Sequence, residues 1–390
     1  MFITDLHITD YIFLGVLGFL FLAQLYFYAR YMCAPARKMR SKGERLKVRG
    51  EGEDVPGVSV ILCAHNESEN LSHFLQALLT QDYPTYEVIV VDDGSEDDTR
   101  LVVERYLAYD KRLHLTFVPC GARVRSTKKL ALTLGAKAAQ YDYLLLTDAD
   151  CVPASSHWIS EMTKGFEKKD IVLGFGAYFK EDGYVNRMVR YDTLFNGLHF
   201  LGAAICGHPY MGVGRNLAYR KSIFFESGGF THLMNVRAGD DDLFVNRVAT
   251  RKNTGVVVNP DAITWSLSKK TLKEWIQQKQ RHLSVSPEYR LGTKIRLFLE
   301  PFTRGLFYAA VVAMLVLYWP TSIETISIPF AAATGAFLLR WILQTAVLNG
   351  SARRMRVHRF NMMSILWFDL TLPLVSLCIL SMPKRKNIKW

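Results

Sequence analysis

Glu87-Val-Ile-Val-Val-Asp-Asp-Gly-Ser95 is the stretch on which the fold turns. Its opening residues form a short β-branched run, stopped at once by acids and a glycine. Such a run reads as a strand buried on both faces in a parallel sheet. Tyr143-Leu-Leu-Leu-Thr-Asp-Ala-Asp150 repeats the pattern about fifty residues later. Val58-Ser-Val-Ile-Leu-Cys63 is a third run, and Ala64-His-Asn-Glu67 follows it. Between the first two strands in chain order, Leu71, Leu75, Leu78 and Leu79 recur at helical spacing over Ser68–Thr80, and Tyr83-Pro84 closes that helix. Strand, helix and strand make a βαβ unit. A helix carrying Leu101, Val102, Arg105 and Tyr106 follows, then a strand near Leu113–Val118 and a helix opened by Lys128 and Lys129. Ligands of open α/β sheets bind at the carboxyl ends of the strands. Two acidic clusters there imply a hydroxyl-rich, metal-bound ligand, and a nucleotide-sugar fits that description.

The chain has 390 residues, room for one large domain and accessory elements. Its hydrophobic content of 49% is concentrated at the two ends. Tyr11–Ala29 carries no charge and is long enough to span a bilayer. Asp5 and Asp10 precede it, and eight basic residues from Arg30 to Arg49 follow. That order opposes a cleaved signal peptide and favours an anchor whose C-terminal flank is cytoplasmic. Three further apolar segments lie at Gly305–Ile323, Thr325–Gly350 and Asn361–Met382. The last holds Asp369 and Pro373 and precedes Lys384-Arg-Lys386, so a span and a re-entrant hairpin both remain open. Arg340 falls inside the second; pairing with Asp369 or snorkelling is the preferred reading over a substrate contact.

The formal charge of +12 lies largely in residues 30–49, 353–359 and 384–389, beside apolar segments. Attraction to membrane lipids explains that placement, and no nucleic-acid partner is expected. The six cysteines have no metal-type spacing and read as reduced thiols. The expected organisation is an anchor over 1–32, a basic linker over 33–55 and an α/β domain over 56–265. Interfacial helices over 266–300 and a membrane region of two to three segments over 301–390 complete it.

Over roughly residues 56–283 the chain resembles the family 2 glycosyltransferases. The resemblance rests on Ala64-His-Asn-Glu67, Asp92-Asp-Gly-Ser95, Lys128-Lys-Leu-Ala-Leu132 and Asp148-Ala-Asp150. It continues through Gly212-Val-Gly-Arg-Asn-Leu-Ala218, Gly228-Gly-Phe230, Gly239-Asp-Asp-Asp-Leu243 and Gln278-Lys-Gln-Arg-His282. Their order and spacing together are specific, although each alone is weak. The resemblance implies a GT-A fold, a Rossmann-like mixed α/β sheet in the cytosol, with membrane helices at either end of the chain. It is similar to the cellulose, chitin and hyaluronan synthases in this respect.

The resemblance also assigns roles. Asp148 and Asp150 match the motif that holds Mg2+ or Mn2+ and the donor diphosphate; alternate residues of an extended strand end face one side. Asp93, with Asn66, Glu67 and the backbone around Ala64, would hold the uridine, and Lys128 would lie near the nucleotide, with Lys129 as the alternative. Asp92 reads as structural, and Ser95 or Asp97 as the cap of the following helix. Asp240-Asp241-Asp242 matches the motif that carries the catalytic base. Setting Arg247 on the family's downstream arginine makes Asp241 the base; setting Leu243 on its leucine makes Asp240 the base. The first register is preferred, and Asp242 is read as a solvated helix cap. Gln278 and Arg281 match the Gln-x-x-Arg-Trp motif, with His282 in place of the tryptophan. Arg281 would then stabilise the leaving diphosphate. His199, His208 and Tyr210 are more easily read as core or loop residues than as acceptor contacts.

The expected activity is inverting, non-processive transfer from a UDP-sugar to a hydroxyl of a lipid-linked or saccharide acceptor, in the inner or plasma membrane with the catalytic domain cytoplasmic. A processive polysaccharide synthase is the alternative within the same chemistry. A silent membrane scaffold or sugar-binding subunit is the alternative outside it.

Overall fold

Val58–Ala64 is buried at every position, as a strand covered on both faces must be. It is the centre of the sheet in a computed structural model that describes residues 6–41, 55–119, 126–236, 238–322 and 326–382. Cys120, most of the basic linker and the Lys384–Lys386 tail lie outside the described residues. The chain opens with α1 (Ile8–Phe27), a π-helical turn at Tyr28–Met32 and α2 (Ala34–Ser41). The first half of the sheet domain is β1 (Val58–Ala64), α3 (Ser68–Leu79), β2 (Tyr86–Asp92), α4 (Thr99–Leu107), β3 (Leu113–Phe117), α5 (Thr127–Ala138) and β4 (Tyr143–Asp148). Next come β5 (Cys151–Pro153), α6 (Trp158–Thr163), β6 (Ile171–Leu173), β7 (Gly176–Tyr178) and the long α7 (Tyr184–Ile205). The domain ends with β8 (Leu217–Arg220), α8 (Lys221–Glu226), α9 (Asp242–Val248), β9 (Thr254–Val256) and β10 (Thr264–Ser266). Four helices complete the chain: α10 (Leu272–Leu283), α11 (Leu291–Leu317), α12 (Ile328–Arg354) and α13 (Met362–Ser381).

The main sheet has seven strands in the order β3-β2-β1-β4-β8-β6-β9. β1 pairs in parallel with both β2 and β4, whereas β8 runs antiparallel to β4. A smaller sheet, β5-β10-β7, flanks it. The order reverses between β1 and β4, so the ligand crevice of such a sheet opens at their carboxyl ends. The first four strands and their helices follow the sequence expectation within a residue or two.

The membrane-like segments differ more in their limits. Four helices are long and apolar enough to cross a membrane: Ile8–Met32, Leu291–Leu317, Ile328–Arg354 and Met362–Ser381. The boundary expected at 300/301 falls inside α11, which runs unbroken through Pro301. The last segment is one continuous helix despite Pro373, not a hairpin.

Arg340 does pair with Asp369, at 2.9 Å, within a larger polar knot. Asp369 also accepts from Arg304 at 2.7 Å and from the Tyr308 hydroxyl at 2.5 Å. Gln24 of α1 accepts from Arg340, and Gln344 of α12 donates to Tyr191 of α7 at 3.1 Å. All four apolar helices and the sheet domain thus meet in one hydrogen-bonded cluster. Removing one partner of a buried ion pair leaves an uncompensated charge, at about 3–5 kcal/mol. Asp369→Ala should therefore lower the thermal unfolding midpoint of detergent-solubilised protein by several degrees. An unchanged midpoint would show that the cluster does not hold the helices together.

Candidate active site

The strand register sets the site. Ala64 pairs with Asp92 and Cys63 with Asp148, which brings the ends of β2 and β4 to either side of β1. Beyond Asp92, Gly94 adopts φ +71°, a turn conformation that glycine takes without strain. Asp92 accepts from Ser95 N at 2.9 Å and closes that turn. Asp97, not Ser95, does the capping: it accepts from Thr99 N at the start of α4 and from Ser68 N at the start of α3.

The loops after β1 and β2 are stitched together. Asn66, at φ +58°, donates its N–H to Ser95 Oγ and accepts from Glu96 N at 2.8 Å. The Ala64 carbonyl accepts from Asp93 N, and His65 Nδ1 donates to the Asp93 carbonyl at 2.7 Å. The Asp93 side chain is buried, and its Oδ2 has no hydrogen-bond partner among the described residues. Burial raises its pKa, against the Thr127 hydroxyl and His65. A buried orphan acceptor costs free energy unless a ligand donor reaches it. Glu67 accepts from Asn70 at 2.6 Å. Burial and the nearby Asp150 and Asp148 raise its carboxyl above the usual range, with Asn70 opposing.

Lys128 and Lys129 divide the tasks that the sequence left open between them. Lys128 Nζ lies 2.9 Å from Asp148 and 3.5 Å from Asp240. Burial disfavours its charge, but Asp148, Asp240 and Asp241 hold the ammonium well above its ordinary pKa. Lys129 turns the other way and is fully buried, donating to the carbonyls of Leu233, Val236 and Ala238. It pins the loop that leads into Asp240.

Asp148, Asp150 and Cys151 place their ligand atoms within 4.8 Å of one another. Burial holds the Cys151 thiol well above its ordinary pKa, and the thiol donates to Asp150 at 3.3 Å. Ser266 Oγ also donates to Asp150, at 3.1 Å. Burial alone would raise Asp148, yet Lys128, Arg215 and Arg281 hold it below the usual carboxylate range. Two carboxylates that offer oxygen ligands side by side suit Mg2+ or Mn2+.

Asp241 lies across Lys128 from this pair. It caps α9, accepting from Asp242 N at 2.8 Å and from Gly214 N at 2.7 Å. Burial, then the neighbouring Asp240, push its pKa up to about 6, against Lys128 and the two backbone donors. Asp242 is no solvated cap: it is buried and hydrogen-bonded to Tyr289. The first turn of α9 buries its outer side because α11 begins against it, where Thr293 meets Asn246.

Helix α10 borders the site through Gln278 and Arg281. Its Thr271–Glu274 capping box fixes its start, and Lys279 ties it to Asp192 of α7 at 2.8 Å. Gln278 donates to the Tyr178 hydroxyl at 3.4 Å. Arg281 is within electrostatic reach of Asp148, and His282 is exposed. Asn216 is wholly buried, bonded to Trp158, Phe175 and Ala262. Phe230 packs among Phe224 and Phe244, while His199 packs edge-on against Phe27 and against Tyr210, whose other neighbour is Tyr289, the partner of Asp242. Arg215 and Tyr178 are site residues that the sequence reading passed over. The one signal was an arginine inside the otherwise neutral 212–218 run.

The glycosyl transferase family 2 profile matches residues 59–228. A poly-β-1,6-N-acetyl-D-glucosamine synthase of Staphylococcus epidermidis is 36% identical over 107 residues, 27% of this chain and 25% of that protein. A probable glycosyltransferase of Bacillus subtilis is 28% identical over 249 residues, 60% of this chain and 56% of that protein. The chain therefore spans between a quarter and about half of the curated relatives it matches. In structure, a mannosyltransferase from Pyrobaculum calidifontis, in complex with GDP-Man and Mn2+, superposes with a TM-score of 0.52 at 20% identity. That likeness covers 92% of this chain and 99% of the other and establishes the shared fold. With the family's acidic motifs gathered at the ends of β1, β2 and β4, residues 59–228 are a glycosyltransferase family 2 domain built on the GT-A fold.

Proposed function

We propose that the protein transfers a sugar from a nucleoside diphosphate donor, UDP-linked, to a hydroxyl of a lipid-linked or saccharide acceptor, with inversion. The observation that carries this reading is Asp241: a carboxylate with its pKa pushed to about 6, held by two backbone donors beside the Asp148–Asp150 pair. Asp241 takes the acceptor's proton as the acceptor oxygen attacks C1 of the sugar. The C1–oxygen bond to the diphosphate breaks, and its electron pair remains on the β-phosphate oxygen. A divalent ion held by Asp148 and Asp150 would neutralise charge on that diphosphate. Lys128 and Arg281 bring positive charge to the same place, and Asp93 takes the base or ribose through its free oxygen. Asp240 positions Lys128.

Because Asp241 must be ionised to accept a proton, transfer should fall as pH drops through about 6. The profile of kcat/KM against pH, taken at saturating metal, should show that acid limb; a flat profile down to pH 5 removes the base from this residue. The four apolar helices support a membrane-embedded enzyme, and the charges after α1 support a cytoplasmic catalytic face. A cysteine reporter near Ser41 should then resist a membrane-impermeant thiol reagent in intact cells.

His282 in place of a tryptophan, with four candidate spans among the described residues, supports transfer of one or a few sugars and release of product. The local similarity to polysaccharide synthases supports the second reading, processive synthesis. Liposomes holding the protein, labelled donor and a lipid extract distinguish them. Short organic-soluble products support the first; long water-soluble polymer supports the second.

A further inference from the structure

Arg215 is a cation held in a defined orientation with no direct ion pair among the described residues. Its chain position is fixed from both sides: the Arg215 carbonyl accepts from Thr147, the residue before Asp148, and from Thr264 of β10. Its guanidinium lies over the Tyr178 ring at 4.2 Å from the centroid. One edge donates to the carbonyls of Gly176 and Ala177, each at 3.2 Å. The side chain runs flat against Gly176, where an added Cβ would lie 3.3 Å from it. No carboxylate among the described residues is within ion-pair distance of Arg215, although Asp148 and Asp150 are within electrostatic reach. A guanidinium has five N–H donors, and two carbonyls leave the others unspent. Tyr178 meanwhile touches Gln278 of α10, so the same shelf abuts the helix that carries Arg281.

A planar, always-charged fork, oriented by stacking and aimed beside a metal-type carboxylate pair, is suited to phosphate oxygens. Asp148 and Asp150 are within electrostatic reach of the same cation without an ion pair to it, which leaves their oxygens available to a metal ion beside it. We propose that Arg215, stacked on Tyr178, is a second guanidinium, besides Arg281, that binds the donor's diphosphate. The inference rests on the nucleotide-sugar reading of the site and adds to it a diphosphate-binding residue outside the family's acidic and Gln-x-x-Arg motifs. Binding through the phosphates makes it indifferent to the base, so uridine and guanosine nucleotides would use it equally.

The test uses the full-length protein in detergent with Mn2+, and calorimetric titration with UDP, GDP and uridine. Wild type should bind a nucleoside diphosphate. Arg215→Ala should weaken that binding by roughly 10- to 100-fold, the worth of one charge-assisted group, while leaving uridine binding within about twofold. Arg215→Lys should fall between, since it keeps charge but loses the fork. Tyr178→Leu should reproduce part of the loss with the charge intact, and it serves if Arg215→Ala does not fold. Equal losses for uridine and diphosphate would make Arg215 a structural strut and overturn the proposal. So would unchanged diphosphate affinity in Arg215→Ala, while Asp150→Ala still loses it; that result spares the wider reading. A wild type that binds no nucleoside diphosphate overturns both.

Discussion

Asp241→Asn should lower the transfer rate by roughly 10²- to 10⁴-fold, the usual contribution of a general base. The amide keeps the shape and its one oxygen can still accept from Gly214 N, at the cost of the bond from Asp242 N. Nucleotide affinity should change little, because the base serves the acceptor. Asp240→Asn is the control. Its carboxylate faces Lys128, so its loss should weaken donor binding more than it slows the chemical step. Single-turnover rates and UDP titrations on both variants decide the register. A larger rate defect at Asp240 assigns the base there, and near-normal turnover in both would falsify a base in this cluster.

Asp150→Ala should abolish metal-dependent turnover. Asp150 keeps no lysine partner within ion-pair distance among the described residues, whereas Asp148 gives one oxygen to Lys128. Asp150 is therefore the carboxylate most available to an ion. The variant should also bind UDP no more tightly with Mn2+ than without it, and wild type in EDTA should behave in the same way. Activity that survives EDTA, or a variant that still gains affinity from Mn2+, removes the metal from these residues. A fall in affinity without dependence on metal would instead point to a change in the loop between β4 and β5.

Much of this could be read from the chain because the informative residues sit at strand ends. Val88–Val91 and Leu144–Leu146 declare their burial, and the acids that follow them can lie only at the carboxyl edge of the sheet. What could not be read depends on contacts far apart in sequence. Two adjacent lysines look alike until α5 turns one toward Asp148 and the other into the carbonyls of residues 233–238. Asp242 looks like a surface cap until Tyr289, forty-seven residues on, covers it. Arg215 shows in the chain only as a charge inside a neutral run; its orientation comes from β7, a strand of three residues. The apolar segment expected from Gly305 is only the second half of α11, because exposed charges such as Lys294 and Arg296 do not interrupt a helix that continues through Pro301.

The knot around Asp369 imposes an order on the birth of the protein. Arg304 and Arg340 are synthesised and inserted before their shared counter-ion, which sits in the last helix. Until Met362–Ser381 leaves the ribosome and docks, two guanidiniums lack that acceptor in apolar surroundings, and Tyr191 of the sheet domain touches a membrane bundle that is still incomplete. A nascent chain stalled or truncated before Asp369 thus carries a visible defect for membrane quality control. Through Arg340, Gln344 and Tyr191, docking of that helix is coupled to the sheet domain.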